Sequence, residues 1–509
     1  MFVPLTVADF LDRAVLVYPE RVAVVDEPDQ PAQAVGPWTY AEMGAAAASQ
    51  AAALDRLGVP PGGRIAMVSH NSGRLLTSFF GVSGSGRVLV PVNFRLAPAE
   101  VEYIVRHSGA DVLFVDPELQ SLFDTVKAAH NFVLGDCDDE FFSGRDAGRP
   151  WTGDEGATAT INYTSGTTAR PKGVQLTHRN LWINAVTFAM HTTLSDRDVL
   201  LHTLPMFHCN GWGMPYAVTG LGGQHIVLRK VDGAEILRRI DKHGVTILCG
   251  APAVLAMVLE AAATWDGPIP GRDRVRVVVA GAPPPTRTIE RIETELGWEF
   301  IQIYGLTETA PLLTINRRRQ EWDELDPASR ARKLGRAGVP ALGVRLRTDE
   351  SGEVLARSNV VLEAYWDQPL ESAKALVGDW FRTGDGGQIT DGYLTISDRK
   401  KDVIISGGEN VSSIEVEDVL ASHPHIREVA VVGTPDEKWG EAVTALVVTD
   451  GTALTAEDVI AHCRASLAGY KCPKLVEFRQ ALPRTATGKL QKFKLRADFW
   501  QGQERSIKG

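Results

Sequence analysis

The chain predicts an α/β fold: a large N-terminal domain of layered β-sheets with helices, followed by a small α+β C-terminal domain. Three observations carry that expectation. The 509 residues exceed what one hydrophobic core organises, and a 44% hydrophobic content supplies material for more than one. Short apolar runs alternate with Ala- and Leu-rich stretches of helical length, which is the rhythm of sheets covered by helices. Near Asp398 the style changes, and a Gly- and turn-rich region gives way to about a hundred residues of compact β/α pattern, enough for a small domain. The expected domains are therefore 1–397 and 398–509.

The elements follow in order. A helix is expected over 6–18, a strand over 22–25, a helix over 45–57 with an Ala-rich start, and a strand over 64–68. Gly81-Val82-Ser83-Gly84-Ser85-Gly86 lacks the G-x-G-x-x-G spacing and precedes a strand instead of following one, so it reads as a packing turn and not a dinucleotide loop. Strands over 88–92 and 112–115 flank a helix over 98–108. A buried strand over 275–280 ends in Gly281-Ala282-Pro283-Pro284-Pro285, where α/β sheets hold ligands, and a helix resumes near Thr286. The run Arg317-Arg318-Arg319 and the mixed stretch 330–336 read as a solvated helix face, with contact to a phosphorylated ligand as the other reading. Beyond Asp398, strands are expected over 429–433 and 443–448, and a helix over 455–467 with Thr455 as its N-cap.

A net charge of −10 argues against a general nucleic-acid binder, although local basic groups can still hold small anions. The five cysteines are scattered and lack C-x-x-C spacing, so neither a disulfide framework nor a zinc site is indicated, and a reducing cytoplasm is expected. The N-terminus lacks the basic and apolar regions of a secretory signal, and no apolar run reaches the roughly 18 residues of a membrane span.

Tyr163-Thr164-Ser165-Gly166-Thr167-Thr168-Ala169-Arg170-Pro171-Lys172-Gly173 is the most informative stretch. Glycines let backbone N–H groups approach phosphate oxygens, hydroxyls add donors or metal contacts, and cations offset charge. It is not a Walker A loop, because Lys172 is followed by Gly173 and then the β-favouring Val174-Gln175-Leu176. Four more segments follow: Tyr304-Gly305-Leu306-Thr307-Glu308-Thr309; Thr383-Gly384-Asp385; Asp398-Arg399-Lys400-Lys401-Asp402 with Ser406-Gly407-Gly408-Glu409-Asn410; and Pro483-Arg484-Thr485-Ala486-Thr487-Gly488-Lys489. In this order the five resemble the adenylate-forming superfamily of acyl-CoA synthetases, firefly luciferase and the adenylation domains of nonribosomal peptide synthetases. The resemblance covers nearly the whole chain.

The resemblance implies roles. Thr164, Ser165, Gly166, Thr167, Thr168 and Lys172 would enclose the β- and γ-phosphates of ATP, Thr164 and Glu308 would bind Mg2+, and Thr307 would contact the α-phosphate. Gly281, Ala282, Pro283 and Tyr304 would flank the adenine, with Gly305 and Leu306 in the same motif. Asp385 would hold the ribose hydroxyls and Arg399 the ribose or phosphate, with Lys401 beside it. Lys489 would bridge the substrate carboxylate and the α-phosphate, and Asp398 would be the hinge of a mobile small domain. The turned domain would present Ser406, Gly407, Gly408 and Glu409 to the pantetheine arm of coenzyme A. Pro205-Met206-Phe207-His208-Cys209-Asn210-Gly211-Trp212-Gly213 resembles an acyl-pocket motif, in which His208 would gate the carboxylate and Gly211 and Trp212 would meet the acid. Cys209 reads as a small lining residue. Other readings stay open: Thr307 and Glu308 suit a first helical turn, Tyr304 a core position, and His208 a buried, satisfied imidazole.

Arg357-Ser358-Asn359 departs from the commonest family pattern and, with the His-Cys-Asn-Gly-Trp element, looks like fatty and aryl acyl-CoA ligases of medium substrate size. The expected function is thus an AMP-forming ligase of a medium-chain fatty or aryl acid with coenzyme A. The alternatives are the same adenylation with a carrier protein or amine as acceptor, or with an oxyanion other than a carboxylate, and an inactive nucleotide-binding homologue. No carrier domain follows Lys489, so a carrier is expected to be a separate protein. Expected partners are the acid, ATP and coenzyme A, with no nucleic acid; a homodimer is left open.

Overall fold

The apolar runs become the strands of two mainly parallel sheets. The computed structural model describes residues 1–144, 148–164, 170–399, 402–407, 409–436, 438–485 and 490–500. One sheet has nine strands in the spatial order Val339–Pro340, Leu312–Arg317, Glu299–Gly305, Arg276–Val279, Ile247–Gly250, Val199–His202, Gln224–Val227, Val22–Val25 and Trp38–Thr39. A second has seven, in the order Ala364–Tyr365, Lys172–Thr177, Thr158–Thr164, Val88–Val92, Arg64–Val68, Val112–Val115 and His130–Val133. Both are parallel at their centres and turn antiparallel toward an edge. Parallel strands are covered on both faces, which is why Val88–Val92 is apolar and buried at every position.

Helices fill the space around these sheets. Gly73–Gly81 is buried along its whole length, with its polar Arg74, Thr77 and Ser78 bonded to Asp138 and to carbonyls of the preceding turn, and its Phe79 and Phe80 meet Tyr216 of the helix Met214–Leu221 edge-on. Burying each such aromatic side chain stabilises the fold by roughly 1.5–3 kcal/mol. The helix expected over 45–57 starts earlier, at Tyr40, because Thr39 and Glu42 form a capping box ahead of the alanine run. The expected helix 6–18 is Ala8–Val17, and Pro98–Ser108 is found as read. The glycines after Gly81 form the short turn Ser83–Ser85, with Gly86 in the left-handed region beneath the Trp151 indole.

The basic run differs from its reading as a helix face. Arg317 ends a strand and grips Glu299 through two bonds of 2.5 and 2.9 Å, Arg318 pairs with Asp323, and Arg319 lies 4.9 Å over the Tyr393 ring. Its charges are thus engaged by the fold. Only the second stretch forms a helix, Pro327–Leu334, where Arg330 pairs with Glu293.

A third, antiparallel sheet contains Arg345–Thr348, Glu353–Arg357, Trp380–Thr390 and Leu376–Val377, and Tyr393–Arg399 pairs onto Trp380–Thr390. The sequence shows this region only as turn-rich, because Gly384, Gly386 and Gly387 interrupt the apolar alternation of its longest strand. A fourth sheet, Glu409–Val411, Ile404–Ser406, Gly440–Thr449, Ile426–Asp436 and Leu475–Phe478, packs its own buried cluster around Ile404, Val416, Val431 and Val443. The helix expected over 455–467 is Ala456–Arg464; Thr455 is its N-cap as read, and Asp458 completes the cap reciprocally. Such a cap contributes about 1 kcal/mol. Among the described residues no helix is long and apolar enough to cross a membrane.

Candidate active site

The parallel strands of the nine-stranded sheet deliver several site segments from their C-terminal ends, the edge at which α/β sheets bind ligands. Val199–His202 leads into the turn holding His208, Arg276–Val279 into Gly281, Ala282 and Pro283, and Glu299–Gly305 carries Tyr304 and runs into Leu306, Thr307 and Glu308. Gly281 has φ +92° and open space where a Cβ would project. Gly305 is required for a different reason: an added Cβ would lie 1.5 Å from the Pro311 carbonyl oxygen.

Tyr304 is half-buried, and its hydroxyl donates to Asp385 Oδ2 at 2.9 Å. Asp385 sits in Trp380–Thr390 opposite the backbone of Arg399, and its N–H donates to Thr383 Oγ1 at 3.2 Å. The third sheet thereby meets the first at two residues the sequence singled out separately. Thr307–Thr309 is a 3-10 turn whose cap comes from Thr309, which accepts the Leu306 N–H at 2.9 Å. Glu308 is not used as a cap. Its Oε1 accepts the Tyr365 hydroxyl at 2.9 Å, and its carbonyl accepts the Leu362 N–H at 2.7 Å. Burial first, and the Glu308 charge second, push the Tyr365 phenol well above its ordinary pKa, so it stays a donor.

The hairpin of the seven-stranded sheet brings Thr164, the end of one strand, opposite Lys172, the start of the next. Lys172 pairs with Glu371 and stands 4.9 Å over the Tyr365 ring. The Lys172 bond, then that of Lys374, pulls the Glu371 carboxyl down to about 2. Tyr365 and Glu371 are site neighbours the sequence reading missed; no local pattern marks them, because an edge strand and a short helix bring them in. Ser165, Gly166, Thr167 and Thr168 lie outside the described residues, as do Lys401, Gly408 and Lys489. A cleft of about 630 Å³ opens beside Arg170 and Pro171, lined also by Tyr103, Arg106 and His107, and includes none of Tyr304, Glu308 or Asp385.

His208 is half-buried and precedes an unusual turn. Cys209, Asn210, Gly211, Trp212 and Gly213 all have positive φ, at 47°, 51°, 56°, 60° and 80°. A left-handed turn costs an L-residue roughly 1–2 kcal/mol per position, with Asn the most tolerant after Gly, so the surroundings must hold Cys209 and Trp212 in place. Gly211 and Trp212 are buried, the latter in the main core cluster. Burial raises the Cys209 thiol far above its ordinary pKa, Glu308 adding to the effect, which leaves it inert at neutral pH. Its Sγ lies 4.0 Å from the Thr307 carbonyl oxygen, joining this turn to the Glu308 segment.

Asp398 is buried, and burial raises its carboxyl pKa. Its oxygens accept from Ser412 Oγ at 2.9 Å, Ser413 N at 2.7 Å and Ser413 Oγ at 2.6 Å, at the start of the helix Ser413–Ala421. Lys492 Nζ donates to Ser413 Oγ at 2.5 Å and pairs with Glu417 at 2.7 Å. Ser406 is buried, Glu409 is exposed, and the Gly407 N–H donates to the Trp439 carbonyl at 2.8 Å. The same helix touches the first segments again, since Asp418 accepts the Thr286 N–H at 2.9 Å just beyond Pro283.

The described residues thus bring together the Thr164–Lys172 hairpin, a half-buried tyrosine bonded to a buried aspartate, and a carboxylate just beyond a strand end, an arrangement whose class the family comparisons supply: an acid-activating enzyme. Two family models match the chain: AMP-binding enzyme over residues 11–366 and AMP-binding enzyme C-terminal domain over residues 415–489. The chain belongs to the AMP-binding enzyme family, the adenylate-forming superfamily, and is an AMP-forming acyl-CoA synthetase. It is 38% identical to the 2-methylpropanoate–CoA ligase CCL4 of Humulus lupulus over 97% of this chain and 95% of that one. With the 4-hydroxybutyrate–CoA ligase 2 of Metallosphaera sedula it shares 37% identity over 96% and 93%. The solved anthranilate CoA ligase AuaEII, in complex with anthranoyl-AMP, superposes with a TM-score of 0.87 at 26% identity, covering 98% of each chain.

Proposed function

We propose that this enzyme activates a medium-chain aliphatic or aryl carboxylic acid with MgATP, releases pyrophosphate from the acyl-adenylate step, and transfers the acyl group to coenzyme A. The observation that carries the reading is the convergence of Tyr304 on Asp385 and of Tyr365 on Glu308, with the turn after His208 in contact with Thr307. It supports a nucleotide on one side of the strand end and an acid on the other.

The task for the residues is to bring a carboxylate onto a phosphorus already surrounded by negative charge. Thr164 and Lys172, opposed across the hairpin, would hold the outer phosphates, and Lys172 would exchange Glu371 for them. Asp385 has two acceptor oxygens suited to a ribose diol, with the Tyr304 hydroxyl fixing one of them. Mg2+ fits the donor set, because Glu308 and Thr164 offer the hard oxygen ligands it prefers. When bound, that ion would neutralise charge on the phosphates. Thr307 would contact the α-phosphate, Lys489 would bridge it to the carboxylate, and His208 would close on the acid.

We further propose that residues 398–509 turn about Asp398 between the two half-reactions, bringing Ser406, Gly407, Gly408 and Glu409 to the pantetheine arm. The five cysteines, all free and buried in the fold, support a reducing compartment such as the cytoplasm. The relatives' names supply the first acids to try, the four-carbon 2-methylpropanoate and 4-hydroxybutyrate, alongside anthranilate and octanoate. Pyrophosphate, AMP and thioester are measured across that panel with and without coenzyme A. The expected result is acid-dependent AMP and a thioester only when coenzyme A is present; ADP as product, or no acid-dependent turnover, rejects the proposal.

A further inference from the structure

The left-handed turn after His208 is closed by a ring of three buried side chains. Thr160 Oγ1 donates to Asn162 Oδ1 at 3.0 Å, Asn162 Nδ2 donates to Asn210 Oδ1 at 3.0 Å, and Asn210 Nδ2 donates back to Thr160 Oγ1 at 2.9 Å. Each hydrogen bond is made away from water, since Thr160 and Asn210 are 0% exposed and Asn162 2%. Asn162 also reaches the Phe207 carbonyl at 3.5 Å. A polar ring this deep in a core is costly unless every member is satisfied, and here each amide uses both its oxygen and its nitrogen.

The placement of the ring gives it a role. Thr160, Asn162 and Thr164 lie at alternate positions of one strand, so they share a face, and Thr164 is its phosphate-side end. Asn210 lies two residues beyond His208. The far end of the turn is tied as well: Asn184 Nδ2 donates to the Trp212 carbonyl at 3.2 Å, while Asn184 Oδ1 accepts the Leu312 N–H at 3.1 Å, just past Glu308. A turn that its own backbone disfavours is thereby fastened to the strand that carries Thr164 and to the strand that follows Glu308.

We propose that Asn210, locked by Asn162 and Thr160, is a positioning residue for adenylation: the ring fixes the separation between the acid side of the site at His208 and the phosphate side at Thr164. This inference rests on the acid-activating function proposed above. A ring in the core that only stabilised the fold would not distinguish between half-reactions. One that sets the approach of carboxylate to phosphorus affects adenylation and leaves thioester formation from a supplied acyl-adenylate alone, because in that reaction the acid–phosphorus bond already exists.

The test uses the full chain. Thr160→Val keeps shape and removes the hydroxyl, Thr160→Ser keeps the hydroxyl, and Asn210→Gly keeps the left-handed backbone while removing the amide. Displacements of about 1 Å near reacting groups cost up to about 100-fold, so Thr160→Val and Asn210→Gly are expected to lower kcat for acid-dependent pyrophosphate release about 10- to 100-fold. KM for ATP and the rate of thioester formation from supplied acyl-adenylate are expected to stay within about threefold of wild type, and Thr160→Ser to restore the adenylation rate. Members of one ring are not additive, so the Thr160→Val/Asn210→Gly double variant is expected to be no slower than the slower single variant. Circular dichroism and thermal melts establish that each variant is folded. Folded variants that keep wild-type adenylation, or lose both half-reactions equally, overturn the positioning role. The wild-type rate reads the underlying function and the variant-to-wild-type ratio reads the ring, so the two ideas fail separately.

Discussion

Glu308, the proposed metal ligand, is held in place by residues distant in the chain. Its side chain is oriented by the Tyr365 hydroxyl and its main chain by the Leu362 N–H, so it is held by a segment more than fifty residues further on. Replacing Glu308 by Gln keeps the shape and removes the charge, and kcat for adenylation is expected to fall by about 100-fold or more, as when a transition-state charge contact is lost. Tyr365→Phe removes only the orienting bond; hydrogen bonds to charged groups contribute about 1.5–3 kcal/mol, so a loss of about tenfold is expected in the same pyrophosphate-release assay. A Tyr365→Phe enzyme with unchanged kcat would show that Glu308 needs no such guide. At this scale the motif residues Tyr304, Glu308 and Asp385 were legible because each sits in a short, chemically distinctive string. Tyr365 and Glu371 were not, because an edge-strand tyrosine and a glutamate at a helix start look ordinary until folding sets them against Glu308 and Lys172.

Elements were legible where one physical signal dominated. The buried parallel strands announce themselves by unbroken apolar runs, and the Thr455 cap by a hydroxyl residue standing just ahead of a helical pattern. The left-handed turn at Cys209–Gly213 and the glycine-broken hairpin Trp380–Arg399 were hidden, since the first depends on tertiary hydrogen bonds and the second lacks clean alternation. The connection at Asp398 also carries a detail that no sequence pattern gives. Its carboxylate clasps Ser412 and Ser413, and Lys492, three residues beyond Lys489, joins the clasp through Ser413 Oγ. If the small domain turns about Asp398, the clasp favours one orientation, and Ser413→Ala weakens it. The two half-reactions need different orientations, so adenylation and thioester formation from supplied acyl-adenylate are expected to change in opposite directions, by about threefold or more. Parallel changes would mean that the clasp serves stability alone. For Lys489→Ala the expectation is sharper: adenylation falls by orders of magnitude while thioester formation from supplied acyl-adenylate persists, and equal loss of both would remove Lys489 from its assigned step.

Across the whole molecule, burial of imidazoles is one source of sensitivity to acid, beside carboxylates that ion pairs hold low. His202 and His225 lie on two neighbouring strands of the nine-stranded sheet, bonded to each other at 2.9 Å, with Thr219 Oγ1 3.0 Å from the outer ring nitrogen of His225. Burial lowers His202 to about 3 and His225 well below its ordinary value, the latter aided by His202. His178 opens a helix, accepts the Val7 N–H at 3.2 Å, and packs 4.8 Å from Trp151; burial lowers it to about 4 against a small opposing pull from Asp154. In each case the unfolded chain takes up a proton near pH 6.5, whereas the folded chain does not until far lower. Their contribution is therefore complete above about pH 6.5 and is lost as pH falls toward 4, at a rate of about 1.4 kcal/mol per pH unit for each histidine. Asp398 and Glu417 act with the opposite sign, since burial raises their folded values and favours the folded state as they protonate. His178→Asn keeps an acceptor for Val7 and cannot titrate. Denaturant unfolding between pH 7 and 5 is expected to show a shallower fall for this variant, by about 1.4 kcal/mol per pH unit below 6.5, and an unchanged slope would mean that His178 already carries its proton in the folded protein.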